Sequence, residues 1–580
     1  MKLQNGNTRW FSSIRKGAIG MTGDKKIYFP AFYLTKDGKA LSEIRVPKKA
    51  VPAVLEAARD LQTHIEKISG ALLPIAEEDI PVNAEFEVHV GYTAEAARLG
   101  LPAPEEKGER VILAYDERTE NKLFLYGNEG INANGTAFAV TMLLEKLGCG
   151  WFGPEELWQV IPENPTLKID YLSKDERPRF TSRYSWVLNT TPEIGRRWYL
   201  GGEKKEIEHA FWLLFPREKY LESHPEWYAL VNGKRDPYSV EWWQMCYSNE
   251  ELQKATAQKI REFFRSHPDY SQATLSANDG WFEGFCECEA CRKLGTPSEV
   301  MLQFVNRIAE MIEEEFPDKK LMFFVYFPTL DPPNKPMKAH RNVIPMFCKE
   351  SCMCHSVDDG PDCGYHVRYH YDFGHVTYPR PWKQNVQLWK ERTDCKQICV
   401  WEWNCCAAAN PVWKDIPWVQ GELMGRNMRC FEELGAEYVY IDQGPVASYH
   451  DTEASYPLRW PLWYLSAKSC WSGNETPTQL LLSACKKLFG PAADLMAAYY
   501  TCLADLNGLC DEKAIAWHMP EPEEVYPPES FARVDNILAA ALASKPLLSE
   551  KEAMRLENQK LLWEKAKEVI LESRAKKETN

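Results

Sequence analysis

Four acidic residues stand where runs of β-branched and aromatic residues end, and this placement suits acid/base chemistry. In a barrel of alternating strands and helices, side chains at the carboxyl ends of the strands converge on one face. Two carboxyl groups in such a cleft, one protonated and one ionised, are what glycoside hydrolysis uses. A structural role is the alternative for each acid taken alone. The four are Asp279 in ATLSAND, Glu350 in MFCKESC, Glu402 in VWEWN and Asp442 in YIDQG.

The neighbours of Asp279 favour it as the general acid. Trp281 and Phe282 follow it directly, and aromatic groups that exclude water raise the pKa of a carboxyl group. Glu402 or Glu350 is then predicted to act as the nucleophile or the base. Because aromatic ring faces stack on sugar rings, we expect nearby tryptophans and polar groups to bind the substrate. The predicted substrate-binding residues of this set are Asn278, Trp281, Trp403, Asp442 and Trp186.

Three cysteines in the spacing C-x-C-x-x-C follow Asp279. Cys286, Cys288 and Cys291 would supply three soft ligands, whereas a structural zinc site takes four in a tetrahedron. A fourth Cys or His must then come from elsewhere, for example from CKESCMCH at 348–355. Free thiols or a disulfide are the alternative, and zinc catalysis would also need an open coordination position. We predict no cofactor, keep a structural zinc as an open alternative, and expect the cysteines to shape the loop behind Asp279.

A barrel is the arrangement that would bring these residues together. Strand-like runs recur with helical segments between several of them, and the segment 297–317 shows a clear apolar helical face. Eight strands over roughly 260 residues match the size and rhythm of a (β/α)8 barrel. The eight predicted strands are 182–189, 208–215, 242–249, 273–279, 321–327, 342–348, 397–404 and 437–444.

Two further regions flank the predicted barrel. Before it, helical segments alternate with strand-like runs, which predicts a compact α/β module. This module shows no converging carboxylates, so we expect it to carry no catalytic residue. After Leu458 the strand-like runs stop and the pattern is helical. The predicted fold is therefore α/β, with an N-terminal α/β sandwich domain at 20–170, a (β/α)8 TIM barrel at 178–457 and a C-terminal helical region at 458–580.

The composition leaves a carbohydrate as the expected partner. The net charge is −14, and a chain without a basic face is not expected to bind nucleic acid. No run reaches the roughly 18 apolar residues of a membrane span, so no membrane association is expected. MKLQNGNTRWFSSIRKGAIG at the N-terminus lacks the apolar core of a signal peptide. We expect a cytoplasmic protein, or a periplasmic or secreted one if a signal peptide was removed, and keep a homodimer as an open alternative.

Longer motifs resemble known families. AARDLQTHIEKISGALLPI, GTAFAVTMLLEKLGCGWFGPEELWQVIP and RPRFTSRYSW resemble the N-terminal domain and domain junction of family 67 α-glucuronidases, a domain shared in form with family 20 β-hexosaminidases. HPEWYALVNGKR, SANDGWFEGFCECEAC and LFGPAADLMAAYY are similar to the glycosidase-like barrel proteins grouped as domain of unknown function 4838. Together these motifs extend from about Val51 to Tyr500 and imply a glycosidase-like barrel.

The resemblance implies roles for several residues. In the α-glucuronidases the general acid is a Glu preceded by Asn at a strand end, so Asn278-Asp279, with Asp in place of Glu, implies an acid role for Asp279. Their other catalytic carboxylates lie on strands that match the sixth and seventh here, which points to Glu350 and Glu402. His209 resembles a histidine that recurs in the family of unknown function, as does His224, and either would bind a sugar hydroxyl or be structural. The predicted function is that of a glycoside hydrolase acting exo-wise on a glycan or glycoside. The alternatives are a non-catalytic glycan-binding barrel and a zinc-dependent hydrolase.

Overall fold

The computed structural model describes residues 30–579 with gaps, and over these residues the chain is a mixed α/β protein. An N-terminal α/β module precedes a nearly closed barrel sheet, and a region made of helices follows it. The predicted fold class is thereby confirmed. The gaps are 106–107, 131, 186, 188–189, 207–208, 241–242, 280–283, 350–352, 359–366, 371–373, 378–379, 405–410, 443–451 and 509–519.

The N-terminal module is a twisted sheet with helices on both faces. The helix Pro52–Ser69 packs beside the helix Gly135–Lys146 on one face, and the short helix Ala94–Arg98 lies on the other. Pro52 begins the first of these helices, and Gly70 ends it in the left-handed conformation with φ +75°. The strand order in the main sheet is β13-β6-β7-β5-β3-β4. The strands are β1 Phe32–Lys36, β2 Lys39–Ala40, β3 Ser42–Val46, β4 Ile75–Glu77, β5 Phe86–Val90, β6 Val111–Tyr115, β7 Lys122–Gly127, β8 Glu129–Gly130, β9 Ala133–Asn134, β10 Gly150–Trp151, β11 Gln159–Val160, β12 Leu167–Ile169 and β13 Leu172–Glu176.

The barrel sheet is closed by one short segment that pairs on both sides. Gly201–Gly202 pairs antiparallel with the first barrel strand, and Lys204–Lys205 pairs parallel with the strand Tyr270–Thr274. The two ends of the sheet are therefore separated by Glu203 alone. The remaining barrel strands pair parallel to one another. The barrel strands are β14 Ser182–Ser185, β15 Gly201–Gly202, β16 Lys204–Lys205, β17 Tyr270–Thr274, β18 Lys320–Val325, β19 Val343–Lys349, β22 Ile398–Trp403 and β23 Ala436–Asp442, and the barrel order is β15-β14-β23-β22-β19-β18-β17-β16. β20 Val367–His370 and β21 Gly374–Thr377 form a separate antiparallel pair.

Two of the eight predicted strands are wrong. The described part of 208–215 holds the short helix Phe211–Leu214, and only His209 makes a bridge, to Ser276. The described part of 242–249 contains no strand and only one bridge residue, Met245. Their aromatic residues are enriched in strands in general, but here they pack between loops and helices, which overrides β-propensity. The closing segment 201–205 takes the second strand position instead.

Side chains on the barrel strands alternate between two environments. Residues such as Met322, Met346, Cys399 and Tyr438 fill the barrel interior, while their neighbours, such as Val400, pack against the surrounding helices. This alternation follows from the two-residue period of a strand. It decides which of the predicted acids can reach the barrel mouth.

The C-terminal region covers one side of the barrel and of the N-terminal module. Arg555, on the last helix, donates a hydrogen bond to the Leu157 carbonyl of the N-terminal module at 2.5 Å, and the Trp413 indole N–H of the barrel region donates to the Pro520 carbonyl at 2.9 Å. Within the described ranges, no helix combines the length and the apolar character needed to cross a bilayer. The α-helices are Pro52–Ser69, Ala94–Arg98, Gly135–Lys146, Pro192–Arg197, Phe211–Leu214, Arg217–Tyr220, Glu250–Ser266, Glu289–Leu294, Pro297–Ile312, Trp382–Thr393, Gly421–Glu433, Thr452–Ser469, Pro477–Phe489, Ala493–Asn507, Pro522–Val525, Phe531–Ala543 and Glu550–Thr579.

Candidate active site

Aromatic side chains of β22 and β23 form one wall of the barrel mouth. Trp401 and Trp403 stack with centroids 6.2 Å apart and planes 13° apart, because residues two apart on a strand face the same side. Tyr440 meets Trp401 edge-on at 4.8 Å. All three are partly exposed, so they offer flat apolar faces to a ligand, which is how proteins commonly contact sugar rings.

Asp442 lies beside this wall. It is the last residue of β23 and pairs in register with Trp403. The Trp401 indole N–H donates to its Oδ2 at 3.2 Å, which orients the carboxylate. Only 8 % of Asp442 is exposed. The structure therefore places this predicted substrate-binding residue at the mouth, where the Trp401 indole holds it.

Asp279 and His209 form a second titratable group at the mouth. The His209 Nε2 atom is 3.8 Å from Asp279 Oδ1, and the two side chains are 18 % and 35 % exposed. The other ring nitrogen, Nδ1, lies 2.8 Å from the Ala277 carbonyl. Since a carbonyl can only accept a hydrogen bond, Nδ1 carries a proton and Nε2 is the atom turned toward the carboxylate.

A line of ring contacts joins these two groups. His209 packs edge-on against Phe324 at 5.0 Å, and Phe324 packs edge-on against Trp401 at 5.5 Å. Phe324 belongs to the interior of the barrel. The Asp279–His209 pair and Asp442 therefore border the same interior, with aromatic rings between them.

Asn278 is a structural residue in this arrangement. Its amide Oδ1 accepts from the Trp212 backbone N–H at 2.8 Å, and its Nδ2 donates to the Trp243 carbonyl at 3.0 Å. The Gln244 side chain binds both backbone groups of Asn278. Its Oε1 accepts from the Asn278 N–H at 3.0 Å, and its Nε2 donates to the Asn278 carbonyl at 2.8 Å. Asn278 is only 4 % exposed, and both atoms of its amide are hydrogen-bonded to backbone groups. It therefore holds the backbone that carries Asp279, and the prediction that it faces the mouth and binds substrate is wrong.

Glu402 does not join the other acids at the mouth. Trp401 and Trp403 face the interior, so the intervening Glu402 points outward to the helices. There it forms an ion pair with Lys349 at 2.9 Å, and neither side chain is exposed. Burial raises the pKa of Glu402, although Lys349 and the Asn427 side chain lower it in part. The prediction that Glu402 lies among the converging carboxylates is wrong, because position 402 alternates with the inward-facing Trp401 and Trp403.

Other predicted site residues have different outcomes. Glu350, Trp281 and Trp186 lie outside the described residues. His224 stacks on Trp227 at 3.9 Å and has its Nδ1 3.3 Å from Glu226 Oε1. This geometry explains His224 as a packed histidine of the loop before residue 228.

The predicted cysteine motif acquires a fourth member from a distant loop. Cys246 joins Cys286, Cys288 and Cys291, and one sulfur atom from each lies within 4.8 Å of the others. The sequence suggested 348–355 as one source of the fourth ligand, but Cys348 lies in the barrel interior. The signal that could have found Cys246 is weak, because only the fold brings position 246 beside the motif.

Comparison with solved structures supports the barrel fold. The chain is similar to a structure described as a family GH115 4-O-methyl-α-glucuronidase, BtGH115A, with specificity for decorated arabinogalactans. The TM-score is 0.55 at 12% identity, with 93% of this chain and 73% of that chain covered. Identity this low shows a shared fold and no more.

Two further solved structures are weaker matches. An N-acetyl-β-hexosaminidase from Streptomyces plicatus gives a TM-score of 0.40 at 10% identity and covers 81% of this chain and 92% of that one. A family 89 glycoside hydrolase from Clostridium perfringens gives 0.40 at 10% identity, covering 91% and 65%. No curated protein matches the sequence.

A family model gives the firmest assignment. It matches residues 154–501, which is more than half of the chain and includes the barrel strands, Asp279, His209 and the four cysteines. The resemblance noted from the sequence motifs is thereby confirmed, and the chain belongs to the family described as domain of unknown function (DUF4838).

Proposed function

We propose that this protein is a glycoside hydrolase in which Asp279 is the general acid. The observation that supports this most directly is the Asp279–His209 pair at the barrel mouth, facing a wall of partly exposed aromatic rings. Catalytic groups of barrel enzymes sit at this end of the sheet. The glycosidase-like fold of the GH115 neighbour agrees with the proposal.

In the proposed reaction, Asp279 gives a proton to the glycosidic oxygen of the leaving group. His209 presents Nε2 to Asp279 while Nδ1 is held by the Ala277 carbonyl. The imidazole therefore lies beside the carboxyl group and is proposed to orient it toward the leaving group. The stacked Trp401 and Trp403 provide a platform for the sugar ring.

The second carboxylate is proposed to be Asp442 or Glu350, because Glu402 points away from the mouth. Asp442 faces the interior and is oriented by Trp401. Glu350 directly follows β19 in the sequence. Azide rescue distinguishes them: in a retaining enzyme, replacing the nucleophile by alanine abolishes turnover, and azide restores it by forming a glycosyl azide.

The first test compares Asp279→Asn with the unchanged protein on two substrates. For a poor alkyl leaving group we expect the rate to fall at least about 10²-fold, the usual worth of general acid catalysis. For an activated nitrophenyl leaving group the loss should be much smaller, because little protonation is needed. A panel of aryl hexosaminides, uronides and neutral glycosides identifies the substrate on which to measure it.

Asp269→Asn is the matched control. It changes the same residue type just before β17 begins, at the opposite end of the barrel, where Asp269 pairs with Lys204 at 2.9 Å. We expect its rates to match those of the unchanged protein. Equal losses for Asp279→Asn on both substrates would move the acid role elsewhere.

A non-catalytic glycan-binding barrel is the second candidate, favoured by the outward direction of Glu402. Calorimetric titration with the same sugars separates it from the enzyme. Binding that Trp401→Ala abolishes, without turnover of any panel member, would establish this candidate and reject the hydrolase.

A further inference from the structure

We propose that Cys246, Cys286, Cys288 and Cys291 bind one Zn²⁺ ion, and that this ion fixes the loop that carries Asp279. Cys246 lies in the loop before the helix Glu250–Ser266. The other three sulfurs come from the C-x-C-x-x-C motif, whose last cysteine lies in the short helix Glu289–Leu294. The site is distinct from the barrel mouth and does not depend on the chemistry proposed there.

The sulfur geometry fits a tetrahedral ion. An ion 2.3 Å from each of four sulfurs at the corners of a tetrahedron sets the sulfurs about 3.8 Å apart. The Cys246 sulfur is 3.7 Å from that of Cys288 and 4.0 Å from that of Cys291. All four cysteines are free thiols, and both separations are far longer than the roughly 2.05 Å of a disulfide bond.

The surroundings of the sulfurs suit thiolate ligands. The Leu230 backbone N–H donates to the Cys286 sulfur at 3.2 Å, and the Cys291 backbone N–H donates to the Cys288 sulfur at 3.4 Å. The Arg235 guanidinium lies 4.0 Å from the Cys286 sulfur. Four thiolates around one Zn²⁺ carry a net charge of −2, which these donors and the cation stabilise.

The ion would be structural. A catalytic zinc keeps a coordination position for water, whereas four cysteine sulfurs fill the tetrahedron. Cys246, Cys286 and Cys291 are buried and Cys288 is partly so, and Ala229 packs beside them in a small apolar cluster. This closed arrangement argues against the zinc-dependent hydrolase considered from the sequence.

The link to Asp279 runs through a short path of backbone. Cys246 lies two residues after Gln244, whose side chain holds both backbone groups of Asn278. Asn278 in turn precedes Asp279, and Cys286 follows within the same loop. An ion that joins Cys246 to the motif would therefore hold both sides of this loop, and its importance for turnover rests on the proposed function.

Metal analysis of the untagged full-length protein is the direct test and needs no substrate. We expect elemental analysis by mass spectrometry to find one zinc per chain. Titration with a mercurial thiol reagent in the presence of a zinc indicator should release that zinc as the fourth thiol of the cluster reacts. Only a small fraction of an ion per chain, both as purified and after reduced protein is loaded with Zn²⁺, would overturn the proposal, and stoichiometric iron would overturn the choice of metal.

Cys246→Ser tests the ligand that the sequence motif does not contain. We expect this variant to lose the zinc or bind it at least about 10-fold more weakly, and to unfold at a lower temperature. Cys502→Ser is the control, since Cys502 is also a buried free thiol but lies in the C-terminal helical region, and it should keep one zinc. Full zinc affinity in Cys246→Ser would overturn the four-cysteine site. If that variant is insoluble, the thiol titration of the unchanged protein decides.

Hydrogen exchange tests the effect on the loop without an activity assay. Removing the zinc should increase exchange in peptides covering 275–290, while peptides covering 321–325 in β18 stay protected. Zinc bound with no change in the exchange of 275–290 would overturn the positioning part. Loss of zinc with unchanged turnover would leave the metal site standing and count against Asp279 as the acid.

Discussion

Glu402 and Lys349 form an ion pair that is sealed between the barrel sheet and the surrounding helices. Removing one partner leaves the other charge buried without its counter-ion, which costs about 3–5 kcal/mol. We therefore expect Glu402→Gln and Lys349→Met each to lower the free energy of unfolding by about that amount. The double variant Lys349→Met with Glu402→Leu should recover most of the loss. Urea unfolding followed by tryptophan fluorescence measures the three proteins.

The stability of Glu402→Gln, measured together with its turnover, decides whether Glu402 has a structural or a catalytic role. A structural residue lowers stability when it is changed, and turnover per folded molecule stays close to that of the unchanged protein. If Glu402→Gln keeps its stability but loses its turnover, Glu402 takes part in the reaction. That result would contradict the structural role assigned from the outward orientation of its side chain.

At the scale of one element, the helix Pro297–Ile312 begins with a reciprocal cap. The Thr296 hydroxyl accepts from the Glu299 N–H at 3.4 Å, and Glu299 Oε2 accepts from the Thr296 N–H at 2.7 Å. Thr296→Ala leaves the Glu299 N–H without this partner, so we expect stability to fall by about 1 kcal/mol. Thermal unfolding should show Thr296→Ser close to the unchanged protein. Equal melting temperatures for the alanine and serine variants would mean that the cap contributes nothing.

Most barrel strands could be predicted from the sequence, and the reason is their burial. β18, β19, β22 and β23 are covered on both faces, so their residues read as nearly continuous apolar runs. The closing segment shows no such run, because it consists of two glycines, a glutamate and two lysines, and each of its strands pairs over only two residues. The aromatic runs near 211 and 243 resemble strands more closely than the closing segment does. In the folded protein, however, tertiary packing places them in loops and a short helix.

The candidate site was predictable only in part, for a related reason. Asp279 and Asp442 follow or end strands, and that position is visible in the sequence. The direction of Glu402 depends on which residues of β22 face the interior, and the alternation in VWEWN allows two opposite assignments until the register is known. Cys246 could not be assigned to the cysteine cluster from the sequence, because only the folded chain brings it beside the distant C-x-C-x-x-C motif.

At the scale of the molecule, Asp60 joins the N-terminal module to the barrel region. Its carboxylate oxygens accept from Arg197 at 2.6 and 2.8 Å. Burial alone would raise the pKa of Asp60, but hydrogen bonds from His64 and Arg197 lower it to about 2. Because the folded-state pKa lies below the unfolded value of about 3.9, the stabilisation is fully present above that pH and is lost as pH falls toward about 2.

Asp60→Asn is expected to lower the free energy of unfolding by about 1–2 kcal/mol at neutral pH, a value reduced for the partial exposure of the pair. The difference from the unchanged protein should shrink as pH falls below about 4. Denaturant unfolding at a series of pH values measures it, with the exposed Asp170→Asn as a control. A difference that stayed constant down to the lowest pH would show that the charge of Asp60 is not the cause.

The five residues from Gly201 to Lys205 also bear on how the protein behaves at high concentration. A sheet that stops leaves a row of unpaired N–H and C=O groups, onto which a strand from another molecule can add and start an aggregate. Among the described residues, both ends of the barrel sheet meet in this segment, so the barrel presents almost no such row. The six-stranded N-terminal sheet keeps two edges, where β4 has three residues and β13 carries Lys174, Asp175 and Glu176. The short length of β4 and the charges of β13 discourage strand addition, and both strands lie at the edges of their sheet.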